Sequence, residues 1–269
     1  MMVANNDREK IINICFISDD DYVTPTTTAI SSLCIHSDES FIYNVYVIMP
    51  ENSSEIAKNY FVDCAVKYEN VNVCVIEKCF DDLMNLHQYN DQRYLAATTT
   101  ALFKFKLANI FSNLDKILYL DGDIIIRDSL TELYEYDIKD YYVAAVRDLP
   151  QVLYREQPIG KEISGIDYFN SGVMLLNLKK MRENEIEAKL IETKKNYTDS
   201  SLMDQNIFNI VFKDSVLQLP FIYNTCYINL IESKDRYSIS KVNEMYSTNY
   251  ETVYEILKDI KIMHFSSKL

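Results

Sequence analysis

Residues 117–128 read ILYLDGDIIIRD, and this stretch decides the fold. With the two residues before it, its first half forms the apolar run DKILYL at residues 115–120, which predicts a β-strand buried on both faces. The run ends directly in Asp121-Gly122-Asp123. Ligands bind at the carboxyl ends of the strands in an open parallel sheet, so the same stretch predicts a central strand and a polar site at its end.

Apolar runs of strand length alternate with stretches of helical periodicity on both sides of this segment. Strands are predicted at residues 10–17, 41–49, 71–76, 142–146, 171–178 and 260–265, and helices at 26–35, 53–66, 98–111, 179–195 and 202–212. Thr24 is predicted to be the N-cap of the first helix and Pro25 its first residue. This alternation predicts the α/β class, with one Rossmann-like, mainly parallel sheet flanked by helices in a single domain over residues 1–269.

Composition excludes several classes of function. The 269 residues include 40 Asp and Glu against 27 Lys and Arg, which gives a formal net charge of −13, and 48% of them are hydrophobic. That hydrophobic content excludes intrinsic disorder. Because no basic block is present to neutralise phosphates, we expect no nucleic-acid partner. The four glycines form neither GxGxxG nor GxxxxGK[ST], which excludes classical dinucleotide and P-loop sites.

The location of the protein is predicted from its apolar segments. No apolar run approaches the ~20 residues that cross a bilayer. Residues 1–10 lack the basic start and apolar stretch of a secretory signal. We therefore expect a cytoplasmic protein.

Polar residues at the ends of the predicted strands are the candidates for the site. They are Asp19 to Asp21 after the first strand, Asp121 and Asp123 with Gly122 between them, Asp148, and His264 in the last strand. Two carboxylates at i and i+2 in extended backbone point the same way and repel unless a cation lies between them. Oxygen ligands suit Mg²⁺ or Mn²⁺, and one imidazole favours Mn²⁺. The alternatives are a polar turn around Gly122 and a hydrogen-bonded core histidine.

Several separated motifs together resemble a known enzyme family. In chain order they are residues 117–128, Phe169-Asn170-Ser171-Gly172, Asp204-Gln205-Asn206 and His264-Phe265-Ser266-Ser267. This set resembles the family 8 glycosyltransferases, which are retaining enzymes of the GT-A fold and include bacterial lipopolysaccharide galactosyl- and glucosyltransferases. The resemblance runs from about Asn13 to the last residue.

The resemblance implies a donor site for a UDP-hexose. It makes Asp121, Asp123 and His264 the ligands of Mn²⁺, with Mg²⁺ as the alternative ion, against the donor diphosphate. It places Asp19 and Asp21 at the uracil and ribose and Lys104 beside the donor. Asp148, Asn170, Asp204 and Gln205 match the positions that hold the transferred sugar, and Gly122 and Ser171 lie within the matched donor motifs.

The resemblance also implies a retaining transfer, for which Asp148, Asp204 and Gln205 are the candidate catalytic residues. Double displacement needs a carboxylate nucleophile on the far face of the sugar. The resemblance places Gln205 nearest that face, and an amide is a poor nucleophile. We therefore favour front-face transfer, in which the leaving phosphate deprotonates the acceptor hydroxyl and Gln205 stabilises the oxocarbenium-like transition state.

We expect the single domain to consist of two functional halves that meet near residue 125. Residues 10–125 are expected to bind the nucleotide-sugar and residues 126–269 a glycan or lipid-linked glycan acceptor, with acceptor contacts in the variable stretches 81–94 and 159–168. Family members continue after the histidine into a Lys-Pro-Trp element, and this chain ends at Leu269. We expect a truncated end, and peripheral contact with the inner face of the membrane through the missing tail. The identity of the sugar, galactose or glucose, stays open.

Three other functions compete with this interpretation. An aspartate-nucleophile phosphatase also has an apolar strand before DxD, but its DxDGT pattern is missing because Asp123 is followed by three isoleucines. A catalytically silent sugar-nucleotide-binding scaffold can share the fold. A glycogenin-like enzyme that glycosylates its own tyrosine is the third, and the chain has 21 tyrosines.

Overall fold

Seven strands form the main sheet of the protein. The structure is a computed structural model that describes residues 10–84, 86, 100–148, 167–197, 203–226 and 239–265. The strands are β1 Lys10–Ile17, β2 Phe41–Pro50, β3 Val71–Lys78, β4 Lys116–Leu120, β6 Val143–Arg147, β7 Phe169–Asn177 and β8 Val216–Gln218. Their order in the sheet is β3-β2-β1-β4-β7-β6-β8. Four of the six pairings are parallel, which confirms the predicted mainly parallel sheet.

Strand β7 runs against both of its neighbours. It pairs antiparallel with β4, where Leu120 lies opposite Val173, and antiparallel with β6, where Arg147 lies opposite Phe169. The amino end of β7 therefore lies at the same edge of the sheet as the carboxyl ends of β4 and β6. This reversal places Asn170 and Ser171, at the start of β7, beside Asp121.

A second, three-stranded sheet was not predicted, and it corrects the expectation of a single sheet. Its order is β5-β10-β9, with β5 at Ile124–Ile126, β9 at Thr225–Cys226 and β10 at Ile262–His264. Strands β5 and β10 are antiparallel, with Ile124 opposite His264, and the Phe265 N–H donates to the Asp123 carbonyl at 2.9 Å. The pairing carries His264 from the far end of the chain to the Asp121-Gly122-Asp123 segment.

Both faces are buried along β4, β6 and β7, as their near-continuous apolar sequences predict, whereas the edge strand β3 exposes Asn72, Cys74 and Glu77. One apolar layer contains Ile12, Ile14 and Phe16 of β1, and the other contains Cys15 and Ile17. Helices cover each layer, so the fold is α/β with a single sheet-centred core. Among the described residues, no helix is both long and apolar enough to cross a bilayer.

Helices confirm the predicted order but not all of the predicted bounds. They are α1 Val23–Ile35, α2 Glu55–Asp63, α3 Asp81–Met84, α4 Leu107–Ile110, α5 Thr131–Glu135, α6 Leu178–Glu183, α7 Ile186–Asn196, α8 Met203–Phe212, α9 Ile239–Tyr246 and α10 Val253–Asp259. Helix α1 begins before the predicted Thr24 N-cap, because a 3-10 turn at Asp20–Tyr22 leads into it and the Asp19 side chain caps that turn.

Two predicted helices are each divided. The helix predicted at 98–111 is helical at residues 100–102, passes through a 3-10 turn, Phe103–Lys106, and continues as α4, while residues 98 and 99 lie outside the described residues. The helix predicted at 179–195 is divided into α6 and α7, because Glu185 between them has a left-handed φ of 52°.

Candidate active site

The predicted site residues meet at one edge of the main sheet. This edge holds the carboxyl ends of β1, β4 and β6 and the amino end of β7, as the strand-end argument predicts. Side-chain contacts connect nine of the predicted residues there: Lys104, Asp121, Asp123, Asp148, Asn170, Ser171, Asp204, Gln205 and His264. Of the stretches expected to bind the acceptor, residues 85, 87–94 and 159–166 lie outside the described residues, as do Ser266 and Ser267.

Asp121, Asp123 and His264 form a compact group of ligand atoms. One ligand atom from each lies within 4.8 Å of the other two. His264 Nε2 is 3.2 Å from Asp123 Oδ1 and 3.8 Å from Asp121 Oδ2. His264 is buried, whereas the two carboxylates are partly open to solvent. The group is therefore closed on the protein side and accessible from outside.

The pKa values of His264 and Asp123 are shifted by their mutual contact. Burial alone would lower the pKa of His264, but Asp123 and Asp121 outweigh it and raise that pKa. Burial alone would raise the pKa of Asp123, but the hydrogen bond and charge of His264 lower it. Both shifts have one cause, which is the close approach of the His264 ring to the Asp123 carboxylate.

The donor set fits a hard divalent cation. Carboxylate oxygens are the ligands of Mg²⁺ and Mn²⁺, and an imidazole is tolerated by Mn²⁺. His264 Nδ1 lies 2.8 Å from Asn224 Oδ1, and a proton on Nδ1 would leave the lone pair of Nε2 facing the two aspartates. These residues match the ligands that the resemblance implied for the metal.

Two glycines allow the segments of the site to approach closely. A Cβ on Gly172 would lie 2.3 Å from His264 Cε1 and 2.7 Å from Asp121 Oδ2. A Cβ on Gly122 would lie 2.3 Å from Thr26 Oγ1. Neither glycine has a left-handed φ, so space and not backbone freedom requires glycine at both positions.

Lys104 is the buried cation of the site. Its Nζ is 2.8 Å from Asp204 Oδ2 and 3.0 Å from Asp121 Oδ1, and it lies over the Tyr119 ring. Burial alone would lower the pKa of Lys104, but the two carboxylates outweigh it and raise that pKa. The side chain is 6% exposed, so it is not a solvated helix-surface lysine.

A second group of side chains is hydrogen-bonded around Asp148. Asp148 Oδ2 accepts from Asn170 Nδ2 at 3.1 Å and from Gln205 Nε2 at 3.0 Å. Gln205 Oε1 accepts from the Ser171 N–H at 3.0 Å, and the Ser171 hydroxyl donates to Asp204 Oδ2 at 3.0 Å. All five residues are buried. Asp204 also pairs with Lys104, so this group is continuous with the ligand atoms of Asp121.

Asp19 and Asp21 lie at the rim of the site, outside this network. The Asp19 carboxylate accepts from the Tyr22 N–H at 3.0 Å, and partial burial raises its pKa. Asp21 is exposed. Tyr22 connects the rim with the ligand group, because its hydroxyl donates to Asp123, and burial together with that contact raises the pKa of Tyr22.

Some site residues were not predicted from the sequence. Asn224 holds His264, and the Tyr119 hydroxyl donates to Asp121 Oδ1 at 2.6 Å. The Tyr168 hydroxyl donates to Asn206 Oδ1 at 2.7 Å and accepts from Gln205, although only acceptor contacts were expected in the stretch 159–168 that includes it. The sequence carried a weak indication for Tyr119 alone, a polar-tipped residue two positions before Asp121 in a buried strand. Asn224 is a single amide without a motif or periodic pattern.

Comparisons with known proteins agree on one family. The family model described as "Glycosyl transferase family 8" matches residues 13–269. The "Probable glycosyl transferase Gly" of Streptococcus gordonii is 30% identical over 223 residues, which are 82% of this chain and 29% of that protein. The lipopolysaccharide 1,2-glucosyltransferase of Escherichia coli K12 is 32% identical over 142 residues, 50% of this chain and 40% of that one.

The fold is also that of a solved transferase. The crystal structure of galactosyltransferase LgtC in complex with donor and acceptor sugar analogs superposes with a TM-score of 0.71 at 23% identity, covering 95% of this chain and 87% of that chain. The chain spans 29% to 60% of the length of the first three curated relatives that it matches. The family model, the relatives and the fold support one conclusion: this chain belongs to glycosyl transferase family 8.

Proposed function

We propose that the protein is a metal-dependent, retaining glycosyltransferase that moves a hexose from a UDP-sugar to a glycan or lipopolysaccharide-type acceptor. One observation carries this proposal. The Asp121, Asp123 and His264 group is joined by Lys104 and Asp204 to the polar side chains around Asp148. A metal-diphosphate site and a sugar site would thus be adjacent, as the cleavage of a sugar-phosphate bond requires.

The charges of the site favour a divalent cation. Around the ligand atoms, with His264 as a neutral imidazole, Asp121, Asp123 and Asp204 contribute three negative charges and Lys104 contributes one positive charge, which leaves two negative charges. Mn²⁺ or Mg²⁺ would balance them, and when bound would act as a Lewis acid on the departing diphosphate. Lys104 holds Asp121 and Asp204 in fixed positions for that task.

The nucleoside and the sugar would lie on opposite sides of this charged group. We assign Asp19 and Asp21 to the uracil and ribose, because they lie at the rim next to Tyr22. We assign Asp148, Asn170, Asp204 and Gln205 to the hydroxyl groups of the transferred sugar. Ser171 and Gly122 would line the rest of the donor site. Short polar side chains in fixed orientations suit hydroxyl groups, which both donate and accept.

Front-face transfer fits the hydrogen bonds of the site. Asp148 already accepts from two amides, and Asp204 is paired with Lys104, so neither carboxylate is set up as a nucleophile. The bond between the anomeric carbon and the diphosphate oxygen breaks as the acceptor oxygen attacks from the same face, and the hydroxyl proton passes to the leaving phosphate. The polar Gln205 amide, held by Ser171 and Asp148, stabilises the positive charge at the anomeric carbon.

The remaining features of the proposal follow the relatives. A glucosyltransferase and a galactosyltransferase are among the similar proteins, which supports a hexose donor without selecting the sugar. Residues 126–269 would supply the acceptor half, and the cytoplasmic location with peripheral membrane contact stays a prediction.

Release of UDP tests the proposal. The chain is incubated with UDP-glucose or UDP-galactose, with Mn²⁺ or with EDTA, and UDP formed by transfer or hydrolysis is measured. We expect metal-dependent UDP release that falls at least about 100-fold in Asp121→Asn, since one ligand of the ion is lost. Asp115→Asn, at the opposite end of β4, is the matched control and should match the unmodified chain.

Other outcomes would favour the competing functions. Tight binding of the UDP-sugar without any UDP release would favour a sugar-nucleotide-binding scaffold. A mass increase of one or more hexoses on a tyrosine of the chain would identify self-glycosylation. Metal-independent release would contradict the proposal.

A further inference from the structure

Asn224 lies between the candidate metal site and the candidate sugar site. Its Oδ1 is 2.8 Å from His264 Nδ1, and its Nδ2 is 2.8 Å from Asn170 Oδ1. Asn170 in turn donates through Nδ2 to Asp148 Oδ2 at 3.1 Å. Asn224 is 5% exposed and Asn170 8%, so water does not replace these contacts freely.

A backbone N–H sets the direction of every hydrogen bond in this chain of contacts. The Gly172 N–H donates at 2.9 Å to the Asn170 side chain, so the atom of Asn170 that receives it must be Oδ1. The Asn224 atom that meets the same Oδ1 must then be its amide nitrogen. Its other atom is consequently the oxygen, and His264 must place its proton on Nδ1 to donate to it.

The consequence is a fixed tautomer of His264. With the proton on Nδ1, the lone pair of Nε2 points toward Asp121 and Asp123, as a metal ligand requires. The same amide keeps Asn170 turned so that its NH₂ group reaches Asp148. The Asn224 side chain thus controls the tautomer of His264 in the metal site and the orientation of Asn170 in the sugar site.

We propose that Asn224 is a positioning residue that couples the metal site to the sugar site, its Oδ1 fixing the tautomer of His264 and its Nδ2 fixing the orientation of Asn170. That one site binds a metal ion and the other a sugar rests on the proposed function. Asn224 touches neither ligand and acts through His264 and Asn170.

The two roles of the amide are separable by substitution. Asn224→Asp keeps an oxygen for His264 Nδ1 but has no N–H for Asn170. Asn224→Leu has a similar size and supplies neither. Asn70→Asp is the matched control, because Asn70 is a partly buried amide that bonds Ser37, Asp38 and Phe41 at the opposite end of the sheet.

The experiment measures three affinities on the full chain and these variants. Mn²⁺ binding is followed by electron paramagnetic resonance without nucleotide, and UDP, UDP-glucose and UDP-galactose are titrated by calorimetry with Mn²⁺. Thermal unfolding shows which variants are folded. The preference for the better UDP-hexose over UDP reports on the sugar site.

The proposal predicts a split between the two readouts. The Mn²⁺ affinity of Asn224→Asp should stay within about threefold of that of the unmodified chain. The same variant should lose its preference for UDP-hexose over UDP. Asn224→Leu should lose both, with Mn²⁺ affinity falling about 10- to 100-fold. Asn70→Asp should change neither.

Two results would overturn the coupling. One is a folded Asn224→Leu variant that binds Mn²⁺ and UDP-hexose like the unmodified chain. The other is a parallel loss of both readouts in Asn224→Asp, which a merely structural residue would produce. If the unmodified chain binds Mn²⁺ but no UDP ligand, the proposed function fails, while the comparison of Mn²⁺ affinities still tests the hold on His264.

Discussion

Lys104 and Lys106 lie two residues apart on one 3-10 turn, yet they have different surroundings. Lys104 is buried between Asp121 and Asp204, which belong to the site. Lys106, whose side chain is 12% exposed, pairs with Asp82 and Glu187, whose side chains are 50% and 19% exposed, so water reaches these pairs more readily. An ion pair of buried charges is costly to break because the remaining partner stays uncompensated, whereas a solvated pair contributes little.

Lys104→Met should therefore destabilise the protein by about 3–5 kcal/mol, and Lys106→Met by about 1 kcal/mol. Urea unfolding measures both. The folded pKa of Lys104 is raised, so the ammonium stabilises the fold fully below its unfolded pKa of about 10.4, and the contribution is lost only above it. The difference between Lys104→Met and the unmodified chain should stay constant from pH 8 to pH 9.5. Equal effects of the two substitutions would contradict the burial argument.

Gly172 provides a second test at the scale of one residue. Gly172→Ala places a methyl group where His264 Cε1 and Asp121 Oδ2 now lie, and both groups must move. Overpacking of this kind costs about 1–3 kcal/mol. We expect that loss in urea unfolding, accompanied by at least tenfold weaker Mn²⁺ binding. Ser171→Ala, a change that shortens the neighbouring side chain, is the control and should retain Mn²⁺ affinity.

Residues at strand ends were predictable from the sequence, and isolated polar residues were not. Asp121, Asp123, Asp148 and His264 follow or end apolar runs, so the edge rule selected them, and the structure brings them to one edge. Asn224 depends on contacts with residues far away in the chain, and nothing in its local sequence marks it. Its position results from tertiary packing alone.

At the scale of elements, strand direction and sheet membership escaped prediction. The apolar pattern of β7 is the same whichever way the strand runs, so the sequence did not reveal that it is antiparallel to β4. Strands β5 and β10 have only three residues each, too few for a periodic pattern, and they formed a separate sheet. Both features determine where Asn170 and His264 lie.

The break between α6 and α7 gives a prediction at this scale. Glu185 has a φ of 52°, which lies in the left-handed region. This conformation costs a residue with a Cβ about 1–2 kcal/mol, whereas glycine adopts it at little cost. Glu185→Gly should stabilise the protein by about 0.5–1 kcal/mol in urea unfolding and leave Mn²⁺ binding unchanged. Asn184→Gly, at a φ of −110°, is the matched control and should not stabilise. A destabilised Glu185→Gly would show that its side chain makes a larger contribution than the backbone strain.

At the scale of the whole molecule, the fold was predictable because its signals are long and repeated. Alternating apolar strands and helices predicted a mainly parallel α/β sheet flanked by helices, and the structure confirms it. The acceptor side was not predictable in the same way. Its expected contacts lie in two stretches that have no motif, 81–94 and 159–168, and most of these residues fall outside the described ones.

The central claim is that Asp121, Asp123 and His264 hold a divalent ion against the diphosphate of a UDP-sugar. Calorimetric titration of UDP, with Mn²⁺ and then with EDTA, tests it most directly on the unmodified chain and on the double variant Asp121→Ala/Asp123→Ala. We predict UDP binding that requires Mn²⁺ and is lost in the double variant, while Asp115→Asn binds normally. Binding that survives EDTA or the double substitution, or no binding under any of these conditions, would contradict the account.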